Sequence, residues 1–111
     1  MEITLSQSDG VTIVEPRGRI DTAGAGPFGD QLASLVRSGT RGVVVDFKQV
    51  RYISSIGFRA LLIVARMVEE HQARLVLCGI SADIMRVFEM GGFTRLFAIC
   101  QTRDDAAKMA T

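Results

Sequence analysis

Gly42-Val43-Val44-Val45-Asp46-Phe47 leads within a few residues into Tyr52-Ile53-Ser54-Ser55-Ile56-Gly57-Phe58 and then a long helical pattern. The continuous β-branched run Val43-Val44-Val45 fits a strand covered on both faces. After Ser54-Ser55 the apolar residues Phe58, Leu61, Leu62, Ala65 and Val68 fall at 3.6-residue spacing, which predicts an amphipathic helix. A buried strand followed by such a helix is the unit of an α/β fold with a largely parallel sheet and right-handed crossovers.

Working outward, the same alternation continues. Glu2 to Gln7 alternates in polarity, Asp9-Gly10 is a turn signal, and Val11 to Ile20 predicts a second strand, so the chain opens on a hairpin. Pro16 inside that second run points to an edge position or a bulge. A helix is predicted within residues 23–38, with Phe28, Leu32, Leu35 and Val36 on one face and Gly39 ending it. Beyond the central helix, Arg74 to Gly79 predicts a strand. Ser81 caps a helix through Met90 with Ile84, Val87 and Phe88 facing inward, and Gly91-Gly92 stop it. Leu96 to Cys100 predicts the last strand, and Thr102-Arg103-Asp104-Asp105 opens a terminal helix in the manner of a capping box. The predicted order is β-β-α-β-α-β-α-β-α in one domain over residues 1–111, with its core at about 3–109.

Composition removes several function classes. The 111 residues are 48% hydrophobic and carry 13 basic against 12 acidic side chains. That balance leaves no general field for nucleic acid or an anionic membrane. With no Trp and one Tyr, platforms for base stacking are poorly supplied. The most apolar stretch, Phe58 to Val68, is broken by Arg59 and Arg66 and predicts no membrane span. No secretory signal is visible at Met1-Glu2-Ile3, so a cytoplasmic domain is the expectation. Cys78 and Cys100 lack C-x-x-C spacing and are expected to be two buried thiols in a reduced compartment. His71, the one histidine, is expected at a solvated helix end, and no metal site is predicted.

Gly24-Ala25-Gly26-Pro27-Phe28-Gly29 matches G-x-G-x-x-G, with Asp46 at about the spacing of a ribose-binding acid. Its mechanics are wrong for a dinucleotide. Three residues separate the preceding strand from the first glycine, and Pro27 removes an N–H from any phosphate cradle. The stretch is better read as a glycine-rich helix start with Pro in the first turn, and no cofactor is predicted.

In open parallel sheets, sites gather at the carboxyl ends of strands. Asp21-Thr22, Asp46 and Ser54-Ser55 are all predicted there, at one edge. Each has a structural alternative. Ser54 or Ser55 suits an N-cap, and Asp21 and Asp46 suit hydrogen bonds to loop backbone. On the central helix Ala60, Ile63 and Met67 are predicted roughly opposite the core stripe, amid Arg59, Arg66 and Glu70. They make either a broad apolar helix face or the centre of a partner interface.

Several segments carry a family resemblance. Gly18-Arg19-Ile20-Asp21 resembles the end of the second strand of STAS domains, and Val43-Val44-Val45-Asp46-Phe47 their third strand. Tyr52-Ile53-Ser54-Ser55-Ile56-Gly57-Phe58 resembles their signature "aromatic, apolar, Asp, Ser, any, Gly, Leu". Val87-Phe88-Glu89-Met90-Gly91-Gly92-Phe93, Leu96-Phe97 and Asp104-Asp105-Ala106-Ala107 are similar to the stretches that follow it. The resemblance implies a STAS-like α/β domain of the stand-alone anti-sigma factor antagonist type, regulatory and not enzymatic. It implies a bacterial partner-switching cycle. The unmodified antagonist binds an anti-sigma factor that is also a serine kinase of GHKL type, which frees a sigma factor. Phosphorylation then releases the antagonist, and a PP2C-type phosphatase restores it. The acceptor it implies is Ser55. Ser54 stands where the family usually has Asp and is a second candidate. Taken with the strand-end and helix-face readings above, the expected partner face comprises Asp21, Thr22, Ser54, Ser55, Ile56, Gly57, Arg59, Ala60, Ile63 and Met67. The alternative is a STAS accessory subunit of a lipid-transport ATPase, or a signalling scaffold, without a phosphorylation cycle.

Overall fold

Val43-Val44-Val45 lie in β3 (Gly42–Asp46), a strand in which every residue is buried. The computed structural model describes residues 1–111. Parallel neighbours flank β3. On one side is β2 (Val11–Ile20), on the other β5 (Arg74–Cys78), with Val44 opposite Ile13 and Val76. β1 (Glu2–Ser8) pairs antiparallel with β2 as the predicted hairpin, and β6 (Ala98–Cys100) pairs parallel with β5, giving the order β1-β2-β3-β5-β6.

Because β3 alternates sides, it feeds two cores. Val43 and Val45 join the larger one, beneath α1 (Thr22–Arg37), α2 (Ser55–Glu70) and α3 (Ala82–Met90). Phe28, Phe47, Phe58 and Phe88 fill it, with Phe58 and Phe88 edge to face at 4.8 Å between ring centres. Val44 joins the smaller core on the opposite face, closed by Ala106 and Ala110 of α4 (Arg103–Ala110). The predicted caps of the last two helices are present. Ser81 Oγ accepts the Ile84 N–H, and Thr102 Oγ1 accepts the Asp105 N–H.

The predicted order holds with one strand added. β4 (Val50–Ile53) pairs parallel with the second half of β2, from Gly18 opposite Val50 to Ile20 opposite Ile53. This also corrects the reading of Pro16. β2 is not an edge strand, since β3 pairs with it through Val14 and β4 from Gly18 onward. Pro16 sits between the two partners, where that flank carries no ladder for its missing N–H to break. The irregularity is at Gly18, in the left-handed region with φ +91°, where the register shifts.

Other boundaries move for identifiable reasons. α1 starts at Thr22, so Pro27 lies in the second turn and not the first. Val64 belongs to the α2 core stripe. Val87, predicted inward, is 47% exposed, and α3 is anchored by the buried Ile84 and Phe88 with Met85 packed beside them. The last strand begins at Ala98, because a short 3₁₀ turn at Phe93–Arg95 leaves Leu96 outside it. Cys78 is buried as predicted, whereas Cys100 is only half-buried, its thiol against Met109 Sδ at 2.9 Å. His71 is exposed at the end of α2, as predicted. No helix is long and apolar enough to cross a membrane.

Candidate functional site

The register between β2 and β4 places two helix starts side by side. Ile20 faces Ile53, and the Ser54 N–H donates to the Ile20 carbonyl at 2.8 Å. The residue after β2, Asp21, caps α1, its Oδ1 accepting the Gly24 N–H at 2.9 Å. Ser54 caps α2, its Oγ accepting the Gly57 N–H at 3.1 Å. Ser54 is only 8% exposed. Ser55, the first residue of α2, is exposed.

Gly57 explains why the turn sits so low. A Cβ at that position would lie 2.7 Å from Ile53 Cγ1 and 3.0 Å from Ile20 Cγ2. Glycine therefore lets the first turn of α2 rest on the two strand ends. Ile56 on the outer side is 47% exposed. The two hydroxyls of Ser54-Ser55 are thereby assigned different environments, one closed into the cap and one open.

Between α1 and α2 runs a groove of about 450 Å³. Ile56, Ala60, Ile63 and Met67 line it from α2 and Gly26, Gly29 and Ala33 from α1, with Asp30, Arg37 and Arg59 as its charged residues. Ile63 is the exposed crest at 54%, whereas Ala60 and Met67, expected opposite the core stripe, are half-buried along the α1 seam. Close approach there needs Gly29, whose added Cβ would come within 3.1 Å of the Ala60 methyl. Asp21 is half-buried, while Thr22 and Arg59 are exposed.

Asp46 departs from the predicted grouping. It ends β3 but faces the α4 side, away from Ser54 and Ser55. Arg103 holds it from Nη2 at 2.9 Å and Nε at 3.0 Å, and also reaches Glu15 at 3.1 Å. The Lys48 N–H donates to the other Asp46 oxygen at 3.0 Å. The hydrogen bond to Asp46 is the chief reason that Arg103 is held protonated even more firmly than usual, against its own desolvation. Cys78, in the same cluster, is pushed up to about 12, by burial first and the Asp46 charge second. Sequence reading missed Glu15 and Arg103, since nothing local links residues 57 positions apart.

The STAS domain family model matches residues 2–106. The chain belongs to the STAS domain family. Among curated proteins it is 36% identical over 107 residues to a Bordetella bronchiseptica protein named as an anti-sigma factor antagonist, BtrV, covering 96% of this chain and 92% of BtrV. A Thermotoga maritima structure described as an anti-sigma factor antagonist superposes with a TM-score of 0.91 at 16% identity, over 97% of this chain and 93% of that one. The phosphorylated form of the Bacillus cell fate determinant SpoIIAA superposes with a TM-score of 0.76 at 16% identity, over 99% and 100%. This STAS chain therefore has the fold of the stand-alone anti-sigma factor antagonists, a type whose members are regulatory proteins.

Proposed function

We propose that this STAS protein is an anti-sigma factor antagonist of a bacterial partner-switching system, acting in the cytoplasm as a binding module without enzymatic activity of its own. Unmodified, it binds an anti-sigma factor that is also a GHKL-type serine kinase. It does so through the edge formed by Asp21, Thr22 and Ser54–Gly57 and along Arg59, Ala60, Ile63 and Met67. Phosphorylation of Ser55 ends the complex, and a PP2C-type phosphatase resets it. The observation that carries this reading is the division of labour in Ser54-Ser55. Ser54 is closed into the α2 cap, and Ser55 stands open one residue later.

The departure from the family pattern is compatible with this cycle. Asp and Ser are comparable N-caps, so Ser54 keeps the helix start and gives up only the charge. A phosphate on Ser55 adds close to two negative charges at a helix N-terminus, where the helix dipole favours them. The domain need not unfold to be switched. What the phosphate disturbs is a packed interface, where each ~1.4 kcal/mol weakens binding tenfold.

The test is a pull-down with the chain as bait, read by mass spectrometry, alongside a Ser55→Glu bait. Recovery of a GHKL-type kinase by the wild type and its loss from the variant is the expected result. Recovery of a transporter ATPase by both baits contradicts the proposal in favour of an accessory subunit.

A further inference from the structure

The ends of β1, β2 and β4 and the start of α1 enclose an open cleft of about 1010 Å³ that the proposed phosphorylation cycle does not use. Three guanidinium groups line it: Arg17 and Arg19 from β2 and Arg51 from β4. All three are exposed. Arg19 and Arg51 form no ion pair, and Arg17 has only a loose one with Glu15 at 3.7 Å. That Glu15 is more closely held by Arg103, at 3.1 Å. Of the two acids lining the cleft, Asp21 already accepts a hydrogen bond from Gly24, and Glu2, opposite Arg17 in the β1–β2 register, forms no ion pair, so three guanidinium groups face two carboxylates. The cleft thus has more cationic donors than the chain satisfies, in a protein whose total charge is only +1.

We propose that this cleft receives an acidic segment of the protein partner, and that Arg19 and Arg51 make the contacts that select it. The inference rests on the reading that the Ser55 edge binds a protein. Two observations give the cleft its occupant. First, the charge is organised: the Arg19 guanidinium carbon lies 4.2 Å from the centre of the Tyr52 ring, which orders a long side chain before a partner arrives. An ordered planar fork suits bidentate pairing with carboxylates. Second, the cleft is continuous with the proposed interface. Asp21 lines it and also begins the Ser55 edge, and Arg51 is four residues before Ser55 on the same strand-to-helix passage. Nucleic acid fits less well. Tyr52 is the only tyrosine and has one ring face taken by Arg19, and Gln31 and Gln49 line the cleft with neutral amide groups suited to peptide.

The inference is testable on the isolated protein by NMR, titrating hexaglutamate peptide, hexalysine peptide and a short oligothymidylate into labelled chain. Amide shifts that saturate with hexaglutamate and cluster at Arg17, Gly18, Arg19 and Arg51 are expected, weakened about tenfold in an Arg19→Glu/Arg51→Glu variant. Arg51→Glu alone, which leaves the Tyr52 stack intact, is expected to weaken them in part and guards against misfolding of the double variant. No shifts with hexaglutamate, shifts centred instead on Arg37, Arg59 and Arg66, or stronger shifts with oligothymidylate would each overturn the inference. None of these outcomes bears on whether Ser55 is phosphorylated, so the two readings fail separately.

Discussion

Ser54 Oγ accepts the backbone N–H of Gly57 at 3.1 Å, so the serine in the position where the family usually has Asp serves the helix start. Ser54→Ala is expected to cost about 1 kcal/mol of stability in urea denaturation, and Ser54→Asp to retain nearly all of it. Ser55→Ala, at an exposed position, is expected to change stability by no more than about 0.5 kcal/mol. Equal losses from the two alanine variants contradict the assignment of the cap.

Gly57 lets the first turn of α2 pack tightly on Ile53 and Ile20 at the strand ends. Gly57→Ala places a methyl group 2.7 Å from Ile53 Cγ1, in a seam that also holds Ile20. Overpacking of this kind costs about 1–3 kcal/mol. A thermal melt of the variant within error of wild type shows that the turn is free to lift.

Arg103 and Asp46 tie α4 to the end of β3. Arg103→Ala leaves the Asp46 carboxylate, whose side chain is 6% exposed, without its guanidinium. Because Arg103 is itself 39% exposed, the expected loss is about 2 kcal/mol, below the usual range for a fully buried pair. Asp46→Asn with Arg103→Met together are expected to cost less than Arg103→Ala alone, since Glu15 loses its Arg103 partner in both but the Asp46 charge is stranded only in the second. Chemical denaturation of the three proteins decides it.

Cys78 and Cys100 are opposite each other in the β5–β6 ladder yet differ in exposure, Cys78 being buried and Cys100 half-buried. Burial pushes Cys78 up to about 12 from 9.0, so in the folded state it stays protonated where the unfolded chain has ionised. Its stabilising contribution is fully present below pH 9 and is lost as pH rises toward 12, by about 1.4 kcal/mol per pH unit. Denaturation midpoints measured across this alkaline range are expected to fall, and less steeply for Cys78→Ala. Native alkylation is expected to modify Cys100 before Cys78.

These sites also mark what a linear reading can reach. The triple valine of β3, the Ser54 helix start and the caps at Ser81 and Thr102 are local signals, and each was visible as spacing or residue type. β4 was not. Val50-Arg51-Tyr52-Ile53 has buried ends and an exposed middle, with none of the period-two alternation that marks a strand, and its identity comes from pairing with β2. The face of Asp46 was half legible. Parity sets it opposite Val45, but only the fold says that α4, and not α2, covers that side. The arginine cleft joins residues from two strands whose adjacency depends on the same unseen pairing.

The crest of the α1–α2 groove offers a direct probe of binding. Ile63→Glu changes a 54% exposed side chain, so circular dichroism and stability are expected to match wild type to within about 0.5 kcal/mol. Binding to the anti-sigma factor is expected to fall at least tenfold in titration calorimetry, through burial of an unpaired charge. An unfolded variant assigns Ile63 to the core.

The phosphorylation cycle itself is tested by incubating the protein with its cognate kinase and ATP, followed by intact-mass measurement and peptide mapping. One phosphoryl group, on Ser55, is the predicted result, together with loss of the kinase complex. An unmodified Ser55, or a phosphate found on Ser54 instead, contradicts it.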